Sequence, residues 1–554
     1  MDFSKLLVHV KAYSLKNALE FGKVDPSKIV SKLFQHGLEK SDVGQIMPEI
    51  IKEAKRINSL KKEQVEKEYL EFSEYVKEKK EEEKGLAELP NVVQGKCVFR
   101  IAPFPSGALH IGNAKTFALN YLYSKKYEGK LILVIDDTIG SEAKQIEKDS
   151  YGLIEEALKW LGVKYDNKII YKSDRLEIYY EYAQKLIKLE KAYVCKCSQE
   201  EFRELKEKGK ECSCRQFDFK EQTKRWKEIF EAKEGSCVLR IKTSMQHPNP
   251  AFRDRVLFKI SDREHPRVGK KYRVWPSLEM SWAVDDHLLG ITHIIRGNEL
   301  VIESDMEKYI WDIFGWKYPE IIHTGLVNIS GIEGKISKSK AQKEVKSGEF
   351  IGWDDPRTWS IQSLARRGMK PEAVINFIEE IGLNKQNIDI PVDSLYSINR
   401  KLIDFDSDRY YFIENPVELK IENAPDIKEV EIPIHPEKNK ERKLKVGRIF
   451  VSGKDYEDFL GKEVRLLHLF NIKLNKNGLA VFTSLENKNI KKIQWVSDFS
   501  ECKVFMPNGA FVEGYADSGI KNIKVGDVVQ FERFGFCRLD KKDKKGYEFW
   551  FAHM

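Results

Sequence analysis

The chain has 554 residues, 41% hydrophobic and 11% aromatic, more than one ordinary core uses, so several domains are expected. Its net charge of +8, from 95 basic and 87 acidic side chains, is mild for this length and permits a polyanionic partner without demanding one. No apolar run reaches the roughly 18 residues of a membrane span, the start MDFSKLLVHVKAYSLKNALE lacks the head and core of a secretory signal, and eight cysteines in such a chain argue against a disulfide framework. A cytoplasmic protein that meets no membrane is expected.

Residues 1–94 read as helical. Ile29, Val30, Leu33 and Phe34 fall on one face, as do Ile46, Ile50 and Ala54. KKEQVEKEYLEFSEYVKEKKEEEKG closes the segment as a long charged helix or linker. Residues 95–165 then change period. CVFRIAP and KLILVIDD are short apolar runs around the helix-like GNAKTFALNYLYSKKY, which gives a βαβ unit with a parallel sheet buried on both faces. SYGLIEEALKWLGV follows as a helix with Leu153, Ile154, Ala157, Leu158 and Leu161 on its apolar side and Gly162 as its stop.

Residues 166–275 are mixed, and the α/β alternation resumes over 276–345. LLGITHIIRG reads as a strand, NELVIESDMEKYIWDIFGW as a helix lined by Ile302, Met306, Ile310 and Ile313, and EIIHTGLVNIS as a further strand. The fold expected is a doubly wound, Rossmann-like α/β domain split by a long insertion. Residues 346–400 read as a helical connector, and 401–554, with short alternating runs and turns, as an all-β sandwich or barrel.

Two segments carry chemistry. APFPSGALHIGN lies where a parallel strand hands over to a helix, the place where such sheets bind ligands. A helix start there favours phosphate through its N–H groups and dipole. Gly112 admits close approach to the backbone, and His110 can donate to a phosphate oxygen. The plain alternative is a histidine capping a core helix. Far downstream, SGIEGKISKSKAQ puts Lys335 and Lys338 in a small polar loop, either an exposed linker or a charge clamp for phosphoryl chemistry.

Together these segments resemble the HIGH and KMSKS motifs of class I aminoacyl-tRNA synthetases. RIAPFPSGALHIGNAKT, LILVIDDT, VDDHLLGITHIIRG, GKISKSK and GWDDPRTWSIQSLARRG are, in order, similar to the archaeal-type glutamyl-tRNA synthetases, relatives of the glutaminyl enzymes. The resemblance implies ligation of L-glutamate to tRNA(Glu) through an adenylate, with charging of tRNA(Gln) left open and a monomer expected. It implies His110 and Lys338 as the catalytic pair, and ATP, with Mg²⁺ as its counter-ion, held by Ala102, His110, Gly112, Lys335 and Lys338. It gives Asp136 to the glutamate ammonium, and Arg100 and Arg296 to the carboxylates, which a planar guanidinium binds two-handed. Residues 166–275 become an acceptor-stem insertion, and 401–554 a pair of β-barrels reading the anticodon. Asn113, Phe104, Val134, Ile139 and Leu278 depart from the family pattern. A glutaminyl enzyme, or a paralogue kept as an RNA-binding scaffold, stays as the alternative.

YVCKCSQEEFRELKEKGKECSCR holds Cys195, Cys197, Cys212 and Cys214. Two C-x-C pairs separated by 14 residues can offer four thiolates to one tetrahedral Zn²⁺. The alternative is four metal-free cytosolic thiols. Some relatives carry a zinc knuckle in this insertion, so zinc is expected. Lysines and aromatics interleave in NIKKIQW and FERFGFCRLDKKDKKGYEFWF, a pattern that suits phosphates and unpaired bases and also an ordinary β core with a charged rim.

Overall fold

The computed structural model describes residues 3–39, 42–76, 86–140, 145–166, 168–332, 338–544 and 546–554. The chain forms two compact units, Met1–Lys84 and Gly85–Met554. The first is helical: α1 (Phe3–Phe21), α2 (Pro26–Leu33), α3 (Val43–Asn58) and α4 (Lys62–Phe72). Asp25 starts α2 by accepting the Ser27 N–H, with Pro26 at the first helical position. On α3, Ile46, Ile50, Ala54 and Ile57 recur at helical spacing and are all buried. Phe34 departs from the expected face. The α-helix ends at Leu33, and the tighter turn that follows swings the Phe34 ring out to 41% exposure. The charged helix ends at Phe72 and a 3₁₀ turn follows at Ser73–Tyr75; residues 77–85 of that run lie outside the described residues.

The second unit is built on β1 (Val98–Ile101), α5 (Ile111–Lys126), β2 (Lys130–Ile135), α6 (Ser150–Trp160) and β3 (Ile170–Tyr171). After α7 (Leu176–Lys188) comes an inserted layer: β4 (Ala192–Cys195), α8 (Gln199–Glu207), α9 (Phe219–Glu228), β5 (Val238–Ile241), β6 (Val256–Ile260) and β7 (Val274–Pro276). These four strands form one antiparallel sheet in sequence order. The alternation resumes with α10 (Leu278–Leu288), β8 (His293–Gly297), α11 (Val301–Phe314) and β9 (Glu320–Thr324). The main sheet is fully parallel in the order β3-β2-β1-β8-β9. Its order reverses at β1, so the crevice beyond the carboxyl ends of β1 and β8 is the switch point where a doubly wound sheet binds ligands. Ile170–Tyr171, inside the span read as insertion, belongs to this sheet as its edge strand.

EIIHTGLVNIS is two strands, not one. β9 ends at Thr324, and the chain leaves the sheet to form β10 (Val327–Ser330). Then come α12 (Lys338–Ser347), α13 (Ile361–Arg366), α14 (Pro371–Ile381), β11 (Ile388–Pro391), which pairs in parallel with β10, and α15 (Val392–Ile403). Gly325 makes the break. A Cβ there would lie 2.0 Å from the Gln386 carbonyl oxygen, so only glycine lets the two backbones pass.

Beyond residue 404 the described chain is mainly β, with one short α-helix at Gly453–Asp458 and a 3₁₀ turn at Ser518–Asn522. One sheet has seven strands, and its two edges, Arg409–Tyr410 and Phe412–Glu414, are consecutive in the chain, which wraps the sheet toward a barrel. A six-stranded sheet runs from Ile449–Ser452 to Lys492–Ile493, and a Phe450–Val496 bridge draws its edges together. Fully buried Arg367 of the connector donates to the Phe551 and Ala552 carbonyls at 3.0 and 2.6 Å, tying the helices to the last strand.

Candidate active site

His110 sits one residue before α5 and is its N-cap. Its Nδ1 accepts from the backbone N–H groups of Gly112 and Asn113 at 3.1 and 3.3 Å. An accepting Nδ1 carries no proton, so the neutral ring holds its hydrogen on Nε2. The Ile111 N–H goes to the Trp359 carbonyl. The expectation of open N–H groups at this helix start is therefore corrected: the first donors of α5 are spent within the protein, and an anion here meets the dipole and side chains. Gly112 has a second reason to be glycine, since a Cβ would stand 3.0 Å from the His110 ring. Ala102, just past β1, is half-buried.

The candidate amino-acid residues lie at the carboxyl ends of adjacent strands, and each already has a partner. Arg100 on β1 is 5% exposed, grips Asp286 of α10 with two hydrogen bonds of 2.5 and 2.9 Å, and lies 3.5 Å from the Trp282 ring centre. Arg296 on β8 bonds Ser304 and Glu307 of α11 at 2.9 and 3.0 Å, while its buried Nε finds no partner among the described residues. Burial pushes Glu307 up to about 7 against the pull of Arg296. Asp136 follows β2 and pairs at 3.1 Å with Lys172, a residue the sequence reading missed. Lys172 is wholly buried, also donates to Ser281 at 2.7 Å, and lies 3.5 Å from the Trp282 ring centre. Burial lowers its pKa, partly offset by Asp136. The only signal was a lysine ending the short apolar run NKIIYK. Asp285 and Asp286 of VDDHL hold protein cations: Asp285 accepts from Arg175 at 2.8 Å and from Tyr179 at 2.6 Å.

A cleft of about 570 Å³ opens between this end of the sheet and the insertion, with Asp136, Phe104, Ile139, Leu278, Glu279 and Arg240 on its walls. Three of the departures from the family pattern thus face one space. Val134 is instead fully buried in β2. Of the second motif, Lys335 lies outside the described residues and Lys338 opens α12. That helix is fastened near the first motif. Glu147 accepts from Gln342 at 2.8 Å and from Lys346 at 2.5 Å, and its backbone N–H donates to the Pro105 carbonyl at 2.9 Å. On the opposite side Lys115 of α5 bonds Thr324, the Gly325 carbonyl and Asn384, where β9 gives way to β10. Burial alone pushes Lys115 down to about 8.

In the insertion the sulfurs of Cys195, Cys197, Cys212 and Cys214 all lie within 4.8 Å of one another. Cys212 is 3.7 Å from Cys195 and 3.2 Å from Cys197. A Zn–S bond of about 2.3 Å sets tetrahedral S···S distances near ~3.8 Å, so the set fits a zinc ion. Burial pushes the Cys197 thiol up to about 11 and raises Cys212, while the Lys196 N–H helps lower Cys214. Four clustered thiols cannot all ionise without a counter-charge, and a dication supplies it.

Residues 96–405 match the catalytic domain of the class I tRNA synthetases (E and Q), and 407–485 and 481–540 match two anti-codon binding domains of the same family. The chain belongs to this family of class I aminoacyl-tRNA synthetases. Among its relatives, the glutamate–tRNA ligase of Pyrococcus abyssi is 42% identical, covering 98% of both chains. That of Methanocaldococcus jannaschii is 40% identical with 98% of each covered, and that of Thermococcus kodakarensis 42%, covering 98% of this chain and 99% of its own.

Proposed function

We propose that the chain is an ATP-dependent glutamate–tRNA ligase. A glutamate carboxylate oxygen attacks the α-phosphorus of ATP, the new P–O bond replaces the bond to pyrophosphate, and glutamyl-adenylate forms. A hydroxyl of the tRNA's 3′-terminal ribose then attacks the activated carbonyl and AMP leaves. No covalent enzyme intermediate is required. The protein's task is to position the reactants and stabilise phosphate charge. The observation that carries this reading is the meeting of Arg100, Asp136 and Arg296 at the carboxyl ends of β1, β2 and β8, beside capped His110, in a chain whose whole length resembles glutamate–tRNA ligases.

In this reading His110 donates from Nε2 to a phosphate oxygen and Lys338 meets the phosphate charge in the transition state, helped by Lys335. Mg²⁺ travels with ATP. Ala102 and Gly112 leave room for the nucleotide. Asp136 faces the cleft and takes the glutamate ammonium, Arg296 offers its Nε to the side-chain carboxylate, and Arg100 holds the α-carboxylate. Zinc bound by the four cysteines would brace the insertion, 166–275, which receives the acceptor end. The β region, 401–554, reads the anticodon. A cleft of about 610 Å³ there, edged by Lys503, Tyr515, Lys541 and Tyr547, supplies the mixture of charge and aromatic rings that unstacked bases use. The test is aminoacylation of purified tRNA(Glu) and tRNA(Gln) with glutamate and with glutamine. Glutamate transfer to tRNA(Glu) is expected. Transfer of glutamine alone would make the chain a glutaminyl enzyme, and no transfer would favour an RNA-binding scaffold.

A further inference from the structure

The second lysine motif must meet the phosphate chain near the first, so something has to hold α12 there. In helical spacing, positions 338, 342 and 346 are each four apart and share one face. The lower two positions of that face, Gln342 and Lys346, both donate to Oε1 of Glu147. Glu147 is in turn fastened to the Pro105 carbonyl in the turn that precedes His110. One residue therefore joins the helix that Lys338 opens to the turn that His110 closes. It precedes α6 and lies on neither motif.

We propose that Glu147 is a positioning residue for adenylate formation, docking the 338-bearing face of α12 against the Pro105 turn. The inference rests on the reading of Lys338 as the phosphate-binding lysine. Glu147 touches neither ATP nor glutamate in this role. The Glu147 side chain is 28% exposed and that of Lys346 58%, so the contact adds little to global stability. Its value lies in orientation, where a small displacement of a charge costs rate rather than folding.

The experiment is glutamate-dependent ATP–pyrophosphate exchange, with tRNA present, by Glu147→Ala, by the charge swap Glu147→Lys with Lys346→Glu, and by Glu147→Ala in a Lys338→Ala background. Thermal melting checks that each variant is folded. We expect Glu147→Ala to lower kcat about tenfold, the equivalent of roughly 1.4 kcal/mol, with the KM for glutamate and the melting temperature unchanged. The swap should recover most of that loss. In the Lys338→Ala background the Glu147 effect should vanish, because the charge it positions is gone. Equal, additive losses in both backgrounds, or a swap that rescues nothing, would overturn the role of Glu147 while leaving the lysine reading intact. Near-normal exchange by Lys338→Ala alone would overturn both.

Discussion

At the scale of single residues, the site is a set of charges that neutralise one another before any substrate arrives: Arg100 with Asp286, Arg296 with Glu307, Lys172 with Asp136 and Arg175 with Asp285. Removing one partner of such a pair leaves a buried charge alone. Arg296→Gln is thus expected to act twice. It should raise the KM for glutamate and narrow the preference over glutamine, and it should also cost about 3–5 kcal/mol of stability by stranding Glu307. Pairing it with Glu307→Gln should restore the melting temperature but not the KM; restoration of both would reduce Arg296 to a structural role. Lys338→Ala, by contrast, should leave the melting temperature alone and lower pyrophosphate exchange by ~10²–10³, the usual cost of a lost transition-state contact to developing negative charge. The sequence named Arg100, Asp136 and Arg296 through its resemblance to the synthetase family, with arginine suited to carboxylates by its planar fork. It could not name Lys172, Glu307 or Glu147. Their significance comes from partners far away in the chain, and a lone lysine or glutamate on a solvated helix looks the same as these do.

At the scale of elements, β1, β2 and β8 were readable because each lies in a short apolar run followed by a helix, whereas the two-residue edge strand β3 was not. Nor was the insertion. Its strands pair across long separations, β4 with β5 across the whole cysteine segment, and they are three to five residues long, too short for periodicity to speak. The break at Gly325 was hidden for the same reason, being imposed by Gln386 from the other side of α14. The cysteine spacing did carry information: four sulfurs drawn into one cluster is what two C-x-C pairs on a turn and a strand end can reach. One zinc per chain is the expected result of elemental analysis on protein prepared without added metal. Its removal by a chelator should free all four thiols to titrate and loosen the segment from β4 to α9, as read by amide exchange, with the parallel sheet unaffected. Protein that holds no zinc and shows four titratable thiols while folded would leave the cluster as ordinary buried cysteine.

At the scale of the whole second unit, the order of events along the chain is not its order in space. The last strand, Gly546–His553, returns to the connector, where Arg367 holds its carbonyls and His553 bonds Asn399 at 2.9 Å. Cutting the chain after residue 400 would therefore damage the connector as well as remove the β region, and loss of tRNA charging in such a truncation says nothing about the anticodon. Charge reversal at Lys503 and Lys541 tests that reading without disturbing the joint. The joint has its own signature. Burial, with Arg400 and Arg367 nearby, pushes His553 down to about 4, so the folded chain keeps the ring neutral at a pH where the unfolded chain has protonated it. Between about pH 6.5 and pH 4 the unfolded state binds one more proton than the folded state, and stability must fall as pH falls through that window. A shift of this size is worth about 3 kcal/mol, present in full above about pH 6.5 and largely gone by pH 4. Glu307 acts with the opposite sign, because its raised pKa lets the folded state take up the proton first, between about 7 and its usual range. The His553 contribution is isolated by comparing urea unfolding of the natural chain with His553→Gln at about pH 5 and about pH 7.5. The variant should lose less stability on acidification, by about 2 kcal/mol. An equal loss in both would mean that His553 is already protonated in the fold, and the neutral Asn399–His553 joint would have to be abandoned.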